Sequence, residues 1–289
     1  MGRTLRQLPW LLRRTLVASA DDGLFALAKA VAYSGLLSLF PIITTSAALF
    51  IQMRAEYVQQ KIAIFLSRVL PPGAEEPVLA QFRYNGQRPR GLLIVAVLIS
   101  LWAASSVIKS LIDGFNAAYR VPRTRSMLAH IGIGLVLVPL SAIPMLGASS
   151  LILFGGTVEH ALMRLLRLDP TLTPLTGWLA IAFRVIRFAI AFGAFWTLTA
   201  ILYYFGPFRK QRWRGLWGGA FLATILWLLA TMGFSWYVRH ITNYNLLYGS
   251  IGTGIALLIW MYLLAIIALF GCEFNAERER MRRAESVES

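Results

Sequence analysis

Long apolar stretches, separated by short polar or basic segments, dominate the sequence. Six of them reach the length of about 20 residues that an α-helix needs to cross the hydrocarbon core of a bilayer. They lie at residues 27–53, 91–118, 127–155, 177–205, 215–238 and 250–271. Backbone polar groups in lipid must be satisfied within the segment, so each stretch predicts a helix. We therefore predict an all-α fold, a polytopic membrane protein with a bundle of six transmembrane helices.

The polar segments predict how the rest of the chain is arranged around this bundle. Residues 1–26 carry Arg, Leu and Trp at helical spacing, which predicts an amphipathic segment in the membrane interface. Residues 54–90 form the longest polar loop, and the apolar spacing of its first half predicts a partly helical external loop. Residues 273–289 are predicted as a polar cytoplasmic tail. The whole chain, residues 1–289, is predicted as a single transmembrane domain.

Composition and charge agree with a membrane protein. Hydrophobic residues make up 57% of the 289 residues and charged residues only 14%, whereas soluble domains carry about 25% charged residues. The formal net charge is +15, and the basic residues cluster at the ends of the apolar stretches. That position is typical of topology signals and of contact with lipid headgroups, so no nucleic acid partner is expected.

The distribution of the basic residues predicts the topology. The N-terminus, the second and fourth loops and the C-terminus carry basic patches, among them residues 120–125, 209–214 and 278–283. An even number of spans puts these four segments on one side of the membrane. Because short basic loops stay on the cytoplasmic side, we predict that both termini are cytoplasmic.

A set of short motifs occurs in a fixed order along most of the chain. They are AY at 32–33, LSLFP at 37–41, ASS at 104–106, FNAAYRV at 115–121, RS at 125–126, WR at 213–214, GA at 219–220, YN at 244–245, YGSIG at 248–252, LIWMY at 258–262 and GCEFNAE at 271–277. Each motif is weak alone, but the ordered set resembles the YihY/BrkB family of bacterial inner-membrane proteins. The chain departs from the family pattern at Met261 and Cys272.

The resemblance implies a multi-pass protein of the bacterial inner membrane. It also implies a transporter or lipid-handling role, since one branch of the family is linked to the movement of lipid precursors and another to serum resistance. The family's former ribonuclease BN label is regarded as a misassignment.

Two arginines inside the fourth apolar stretch are the first candidate ligand-binding residues. Arg184 and Arg187 are three residues apart, so they share one face of the predicted helix. They lie roughly 10 to 15 Å along the helix from Gly177. Two guanidinium groups on an inward face could hold a phosphate or a carboxylate. Alternatively, the span begins later and both arginines anchor the helix in the interface.

Four more polar residues lie within or next to the spans. Lys109 and Asp113 are four residues apart and could form a gating pair or an ion pair that neutralises itself near the cytoplasmic interface. Asn116, one turn further, could hydrogen-bond to another helix. Glu273, at the end of the last span, is either a buried acid that faces the bundle or part of the cytoplasmic rim.

Proline and glycine mark the candidate hinges. Pro41 lies within the first span, where proline frees a carbonyl group and kinks the helix. Gly249, Gly252 and Gly254 begin the last span. They fit either close helix packing through small residues or a broken helix that lines a cavity.

Motifs for catalysis, metals and cofactors are missing from the sequence. His130, His160 and His240 lie near three different span ends, so no zinc site is predicted. No Walker Gly-x-x-x-x-Gly-Lys-Ser/Thr motif occurs, and the serine pairs lack a nearby histidine base. We therefore expect a protein that is not an enzyme and has no cofactor and no metal.

The combined prediction is a transporter or flippase-like protein for an anionic amphiphile or lipid precursor. In it, Arg184 and Arg187 hold the anionic head, while Lys109, Asp113 and Asn116 line or gate the cytoplasmic side. Membrane lipids are the expected partners, and oligomerisation is left open. The alternatives are a scaffold for envelope assembly without transport and a membrane-associated ribonuclease.

Overall fold

The computed structural model describes residues 2–52, 90–122, 132–141, 147, 174–240 and 249–288. Seven helices lie in these ranges. They are α1 (Gly2–Asp21), α2 (Leu24–Gln52), α3 (Arg90–Ala118), α4 (Gly132–Ser141), α5 (Pro174–Phe205), α6 (Trp213–His240) and α7 (Gly249–Glu288). The predicted all-α fold is confirmed.

Five of the described helices are long and apolar enough to cross a membrane. The five segments are Leu24–Ser46, Ile94–Ala118, Ile181–Phe205, Trp213–Tyr237 and Gly254–Ser286. They correspond to five of the six predicted spans, which confirms a multi-pass membrane protein. Of the predicted span 127–155, the structure describes α4 and Gly147. The predicted external loop, residues 54–90, lies outside the described residues except for Arg90.

The N-terminal helix α1 is amphipathic, as predicted. Leu11, Thr15 and Ala18 are buried on one face, whereas Arg13 and Arg14 are exposed. This helix packs against α7 and α2. A tight turn follows, in which Gly23 has a φ of 69°, a left-handed conformation that glycine adopts without a steric penalty.

The helix α7 is central to the bundle, because it packs against α1, α2, α3 and α6. Its 40 residues make it about 60 Å long, roughly twice the hydrocarbon thickness of a bilayer. The last predicted span and residues 273–288 of the predicted tail therefore form one continuous helix. Cys272, at the junction of these two parts, is completely buried.

Hydroxyl groups join α2 to α3 along their length. The Thr45 hydroxyl hydrogen-bonds to that of Ser100 at 2.7 Å and donates to the Ala96 carbonyl at 2.9 Å. The Ser100 hydroxyl also lies 2.7 Å from the carbonyl oxygen of Pro41. In an apolar environment such bonds substitute for hydration, so they fix the register of the two helices.

The helices α6 and α7 approach most closely at a pair of glycines. A Cβ atom built on Gly219 would collide with the carbonyl oxygen of Gly271 and with the carboxamide of Asn275. That carboxamide accepts a hydrogen bond from the Gly219 N–H at 2.7 Å and donates one to the Leu216 carbonyl at 2.9 Å. Glycine at 219 therefore permits both the close crossing and the hydrogen bonds.

We predict that Gly219→Ala lowers the free energy of unfolding in detergent by about 1–3 kcal/mol, because the added methyl group forces the two helices apart. Gly233→Ala is the matched control on the same helix, since a Cβ atom there meets nothing within 4 Å. It should be neutral or stabilising by up to about 1 kcal/mol. Equal stability of the two variants in thermal unfolding would contradict the close crossing.

Candidate functional site at the charged end of the bundle

Charged side chains are concentrated at one end of the bundle, which we call the charged end. There α1 and α3 end, α2 and α6 begin, and α7 extends past the other helices. At its centre is Arg280 of α7. Its Nη1 atom donates to Glu273 Oε1 at 2.9 Å and also to Glu277. Its Nη2 atom donates to the carbonyl oxygen of Ala118 at 2.6 Å and lies 3.8 Å from Asp22 Oδ2. One guanidinium group thus joins α7, the last residue of α3 and the turn between α1 and α2.

The carboxylates that Arg280 contacts are shielded from water. The side chain of Glu273 is 0% exposed and that of Glu277 is 3% exposed. The Oε2 atom of Glu273 has no hydrogen-bond partner in the described part of the chain. A buried carboxylate is costly unless it is paired, so the stability of this region depends on the positive charge of Arg280.

Two further ion pairs attach α1 and the end of α3 to this centre. Arg14 Nε lies 2.6 Å from Glu277 Oε2, which connects α1 to α7. Arg120 Nε donates to both oxygens of Asp22, at 3.0 and 3.2 Å. Arg120 also has a φ of 53°, an uncommon conformation for a residue other than glycine. The pairing with Asp22 helps to hold the chain in this conformation at the end of α3.

The linker 206–212 between α5 and α6 is held in place from two sides. The Asn116 side-chain oxygen accepts a hydrogen bond from the Phe208 N–H at 2.8 Å. Arg209 Nη2 lies 2.5 Å from Glu279 Oε1, and its guanidinium group lies 5.0 Å from the ring centroid of Tyr119. Burial raises the pKa of the Tyr119 hydroxyl, so the ring under this cation stays neutral.

A cleft of about 760 Å³, the basic cleft, opens on one side of this linker. The linker, the first turn of α6 and the C-terminal part of α7 form its walls. Among the described residues that line it, five arginines face one carboxylate, that of Glu279. The arginines are Arg212, Arg214, Arg278, Arg282 and Arg283.

A second cavity, the apolar groove, has a volume of about 820 Å³ and lies between α4 and the end of α5. Apolar side chains such as Val136, Leu140 and Phe205 line most of it. At its polar end are Arg209, Lys210 and Gln211 of the linker. Gln211 lines both cavities, so the apolar groove and the basic cleft meet at the same short segment.

The structure brings two of the predicted site residues to the charged end. Asn116 and Glu273 are both buried there, the first against the linker and the second against Arg280. Lys109 and Asp113 are half-buried on the same helix as Asn116. The Cγ atom of Lys109 lies 3.4 Å from where a Cβ atom of Gly134 would be, so this lysine faces α4.

The two predicted arginines of the fourth span lie elsewhere. Arg184 is exposed and Arg187 is half-buried, near the start of the membrane-crossing part of α5. The Arg187 guanidinium lies 5.4 Å from the ring centroid of Phe188, and its Nε atom is buried without a hydrogen-bond partner among the described residues. Along α5, Arg187 is about 27 Å from Phe205, so this pair is far from the charged end.

The candidate hinges all lie in helical backbone. Pro41 is in α2, and its carbonyl oxygen contacts Ser100. Gly249, Gly252 and Gly254 lie in the first two turns of α7, which is helical from Gly249 onwards. Gly252 is buried, whereas a Cβ atom on Gly254 would meet nothing within 4 Å. Whether these residues act as hinges stays a prediction.

Several important contacts were not predicted from the sequence. The sequence indicates Arg280 only as part of a basic patch, and it does not indicate the ion pairs of Arg14 and Asp22. One signal was available, because Glu273, Glu277 and Arg280 are spaced i, i+4 and i+7 and therefore share one face of a helix. That spacing predicts mutual contact if the helix continues beyond the membrane.

A family model and several known proteins match this chain. The family model described as virulence factor BrkB matches residues 15–289. YfkH of Bacillus subtilis (strain 168), whose name describes it as ribonuclease-like, is 30% identical over 85% of this chain and 86% of its own length. The UPF0761 membrane protein Mpe_A1422 of Methylibium petroleiphilum is 23% identical over 96% of this chain.

Other relatives are similar to the chain over different shares of their own length. The UPF0761 membrane protein MADE_1017605/MADE_1018330 of Alteromonas mediterranea is 29% identical over 88% of this chain and 83% of its own length. The chain spans only 64% of the Methylibium relative. No solved structure matches the chain.

We predict that Arg280→Ala lowers the free energy of unfolding by about 3 kcal/mol, because it leaves the buried Glu273 carboxylate without its counter-charge and Glu277 paired only with Arg14. Thermal or denaturant unfolding in detergent measures this. The matched control is Arg283→Ala on the same helix, which removes an ion pair with Glu279. Because the Arg283 side chain is 68% exposed, this change should lower the free energy of unfolding by less than about 1 kcal/mol.

A second change tests the cause of this effect. Adding Glu273→Gln to the Arg280→Ala variant should restore part of the lost stability, since the uncompensated buried charge is then gone. If this double variant were less stable than Arg280→Ala alone, unpaired charge would not be the cause.

Proposed function

The chain belongs to the BrkB family of membrane proteins, and we propose that it carries an anionic amphiphile from one leaflet of the bacterial inner membrane to the other. The observation that carries this proposal is the junction of the apolar groove with the cationic linker residues. An amphiphile needs an apolar surface for its chains and a cation for its head, and Arg209 and Lys210 lie at the end of the groove. The proposal assigns no chemical reaction and no cofactor to the protein.

The position of the cations along α5 supports movement between leaflets. Arg184 and Arg187 lie near the start of the crossing segment, and Arg209 and Lys210 follow directly after its end. The distance from Arg187 to Phe205, about 27 Å, is close to the hydrocarbon thickness of a bilayer. Cations at both ends of one helix offer a headgroup site in each interface, which is what a carrier of anionic lipids needs.

The orientation follows from the same charges. The basic residues at the charged end, together with the N-terminal arginines, favour the cytoplasmic side for both termini. In this orientation the apolar groove opens towards the cytoplasmic leaflet, and Arg184 and Arg187 lie towards the outer leaflet.

We predict that Val136→Trp slows the movement of a fluorescent phosphatidate across proteoliposome membranes at least tenfold, because the indole fills the apolar groove that Val136 lines. Dithionite quenching of the label measures the rate. Val95→Trp is the matched control, since Val95 is exposed on α3 and does not line the groove; its rate should equal that of the parent.

Two results would count against the carrier. If the parent moved neither phosphatidate nor phosphatidylglycerol faster than protein-free liposomes, a scaffold without transport would be the better reading. If Val95→Trp slowed movement as much as Val136→Trp did, the effect would come from any added bulk and not from the groove.

The double variant Arg184→Gln and Arg187→Gln is expected to reduce phosphatidate movement at least tenfold while leaving membrane insertion intact. The reason is the loss of two charge-assisted contacts to the headgroup, each worth roughly 1.5–3 kcal/mol. The control removes two exposed cations at the charged end, by Arg13→Gln and Lys29→Gln. Unchanged transport in the Arg184 and Arg187 variant would remove this pair from the path.

A further inference from the structure

The arginines of the basic cleft line a concave surface, which residues that only set the membrane topology do not require. Basic residues that only orient a protein in the membrane can lie on any exposed surface, as Arg13 and Lys29 do. The five cleft arginines instead line a concavity of about 760 Å³, with walls from the linker, α6 and α7. Concave sites with convergent polar groups are typical of ligand binding.

Most of the charges in the cleft have no counter-charge among the residues that the structure describes. Arg212, Arg214 and Arg282 form no ion pair with any residue that the structure describes. The one carboxylate in the described lining, Glu279, is already paired with Arg209 at 2.5 Å and with Arg283 at 2.7 Å. Like charges held close together repel one another, and an anion in the cleft would relieve that repulsion.

The hydrogen-bond donors in the cleft match a phosphate group. The half-buried Arg278 donates to the carbonyl oxygen of Gly215, which fixes its guanidinium group against the first turn of α6. That turn begins a 28-residue helix, whose N-terminal N–H groups and dipole also favour an anion. Guanidinium forks bind phosphate oxygens in pairs.

We propose that the basic cleft binds a phosphate monoester or a diphosphate, either free in solution or as the headgroup of a lipid. Several unpaired arginines favour a ligand with two or more negative charges over a singly charged one. The inference stands apart from the proposed carrier function, because binding in the cleft requires no movement across the membrane. The linker residue Gln211, which also lines the apolar groove, places a lipid-borne phosphate within reach of the cleft.

The experiment uses the full chain in nanodiscs of phosphatidylcholine, with inorganic diphosphate as the probe in isothermal titration calorimetry. Saturable binding is expected. The double variant Arg214→Gln and Arg282→Gln should weaken it at least roughly tenfold, as the loss of charged hydrogen bonds implies. Both side chains are exposed and lack ion-pair partners in the described structure, so thermal unfolding should match the parent. Arg13→Gln with Lys29→Gln removes equal charge outside the cleft and should leave the affinity unchanged.

A second arm identifies the source of the phosphate. Nanodiscs that contain phosphatidate are compared with nanodiscs that contain phosphatidylglycerol at equal surface charge. If only phosphatidate blocks diphosphate binding, the ligand is a lipid headgroup; if neither lipid blocks it, the ligand is a soluble phosphate. The proposal is overturned if the parent binds no diphosphate, if both lipids block binding equally, or if the two double variants lose equal affinity. None of these results depends on the transport rates.

Discussion

A carboxylate that is removed from water must have a counter-charge, and the charged end of this bundle depends on that constraint. Glu273 is fully buried, and Arg280 is the cation that reaches it. The same guanidinium group contacts Glu277, Asp22 and the last carbonyl group of α3. The cation that pairs with this buried acid therefore also ties the turn between α1 and α2 and the end of α3 to α7.

The short linker between α5 and α6 has a comparable role for both cavities. It is fixed by the Asn116 side chain on α3 and by the Arg209–Glu279 ion pair to α7. Because linker residues 207–211 line the apolar groove and Gln211 and Arg212 line the basic cleft, a shift in these contacts would change both cavities together. Any movement of α3 against α7 would therefore change the shape of both cavities.

The sequence predicted the parts of the fold that depend on local pattern. Apolar length predicted five helices that the structure describes as able to cross a membrane, and helical spacing predicted the amphipathic α1. The site was predicted only in part, because its contacts join residues far apart in sequence. Asn275 and Gly219 illustrate this, since neither residue alone indicates the hydrogen bond between them. The sequence places Arg280 only in the basic patch 278–283, because its contacts with Asp22 and Ala118 depend on the folded bundle.

The burial of the chain's only cysteine has a practical consequence for spectroscopy. Cys272 follows Gly271, where α6 and α7 come close together, and none of its surface is accessible. A thiol-directed fluorophore or spin label would therefore find no competing native thiol on the folded protein. Reporter pairs introduced across α1 and α7, or across the groove, can be attached to the otherwise unmodified chain, and distances between them can be followed as the bilayer composition is varied.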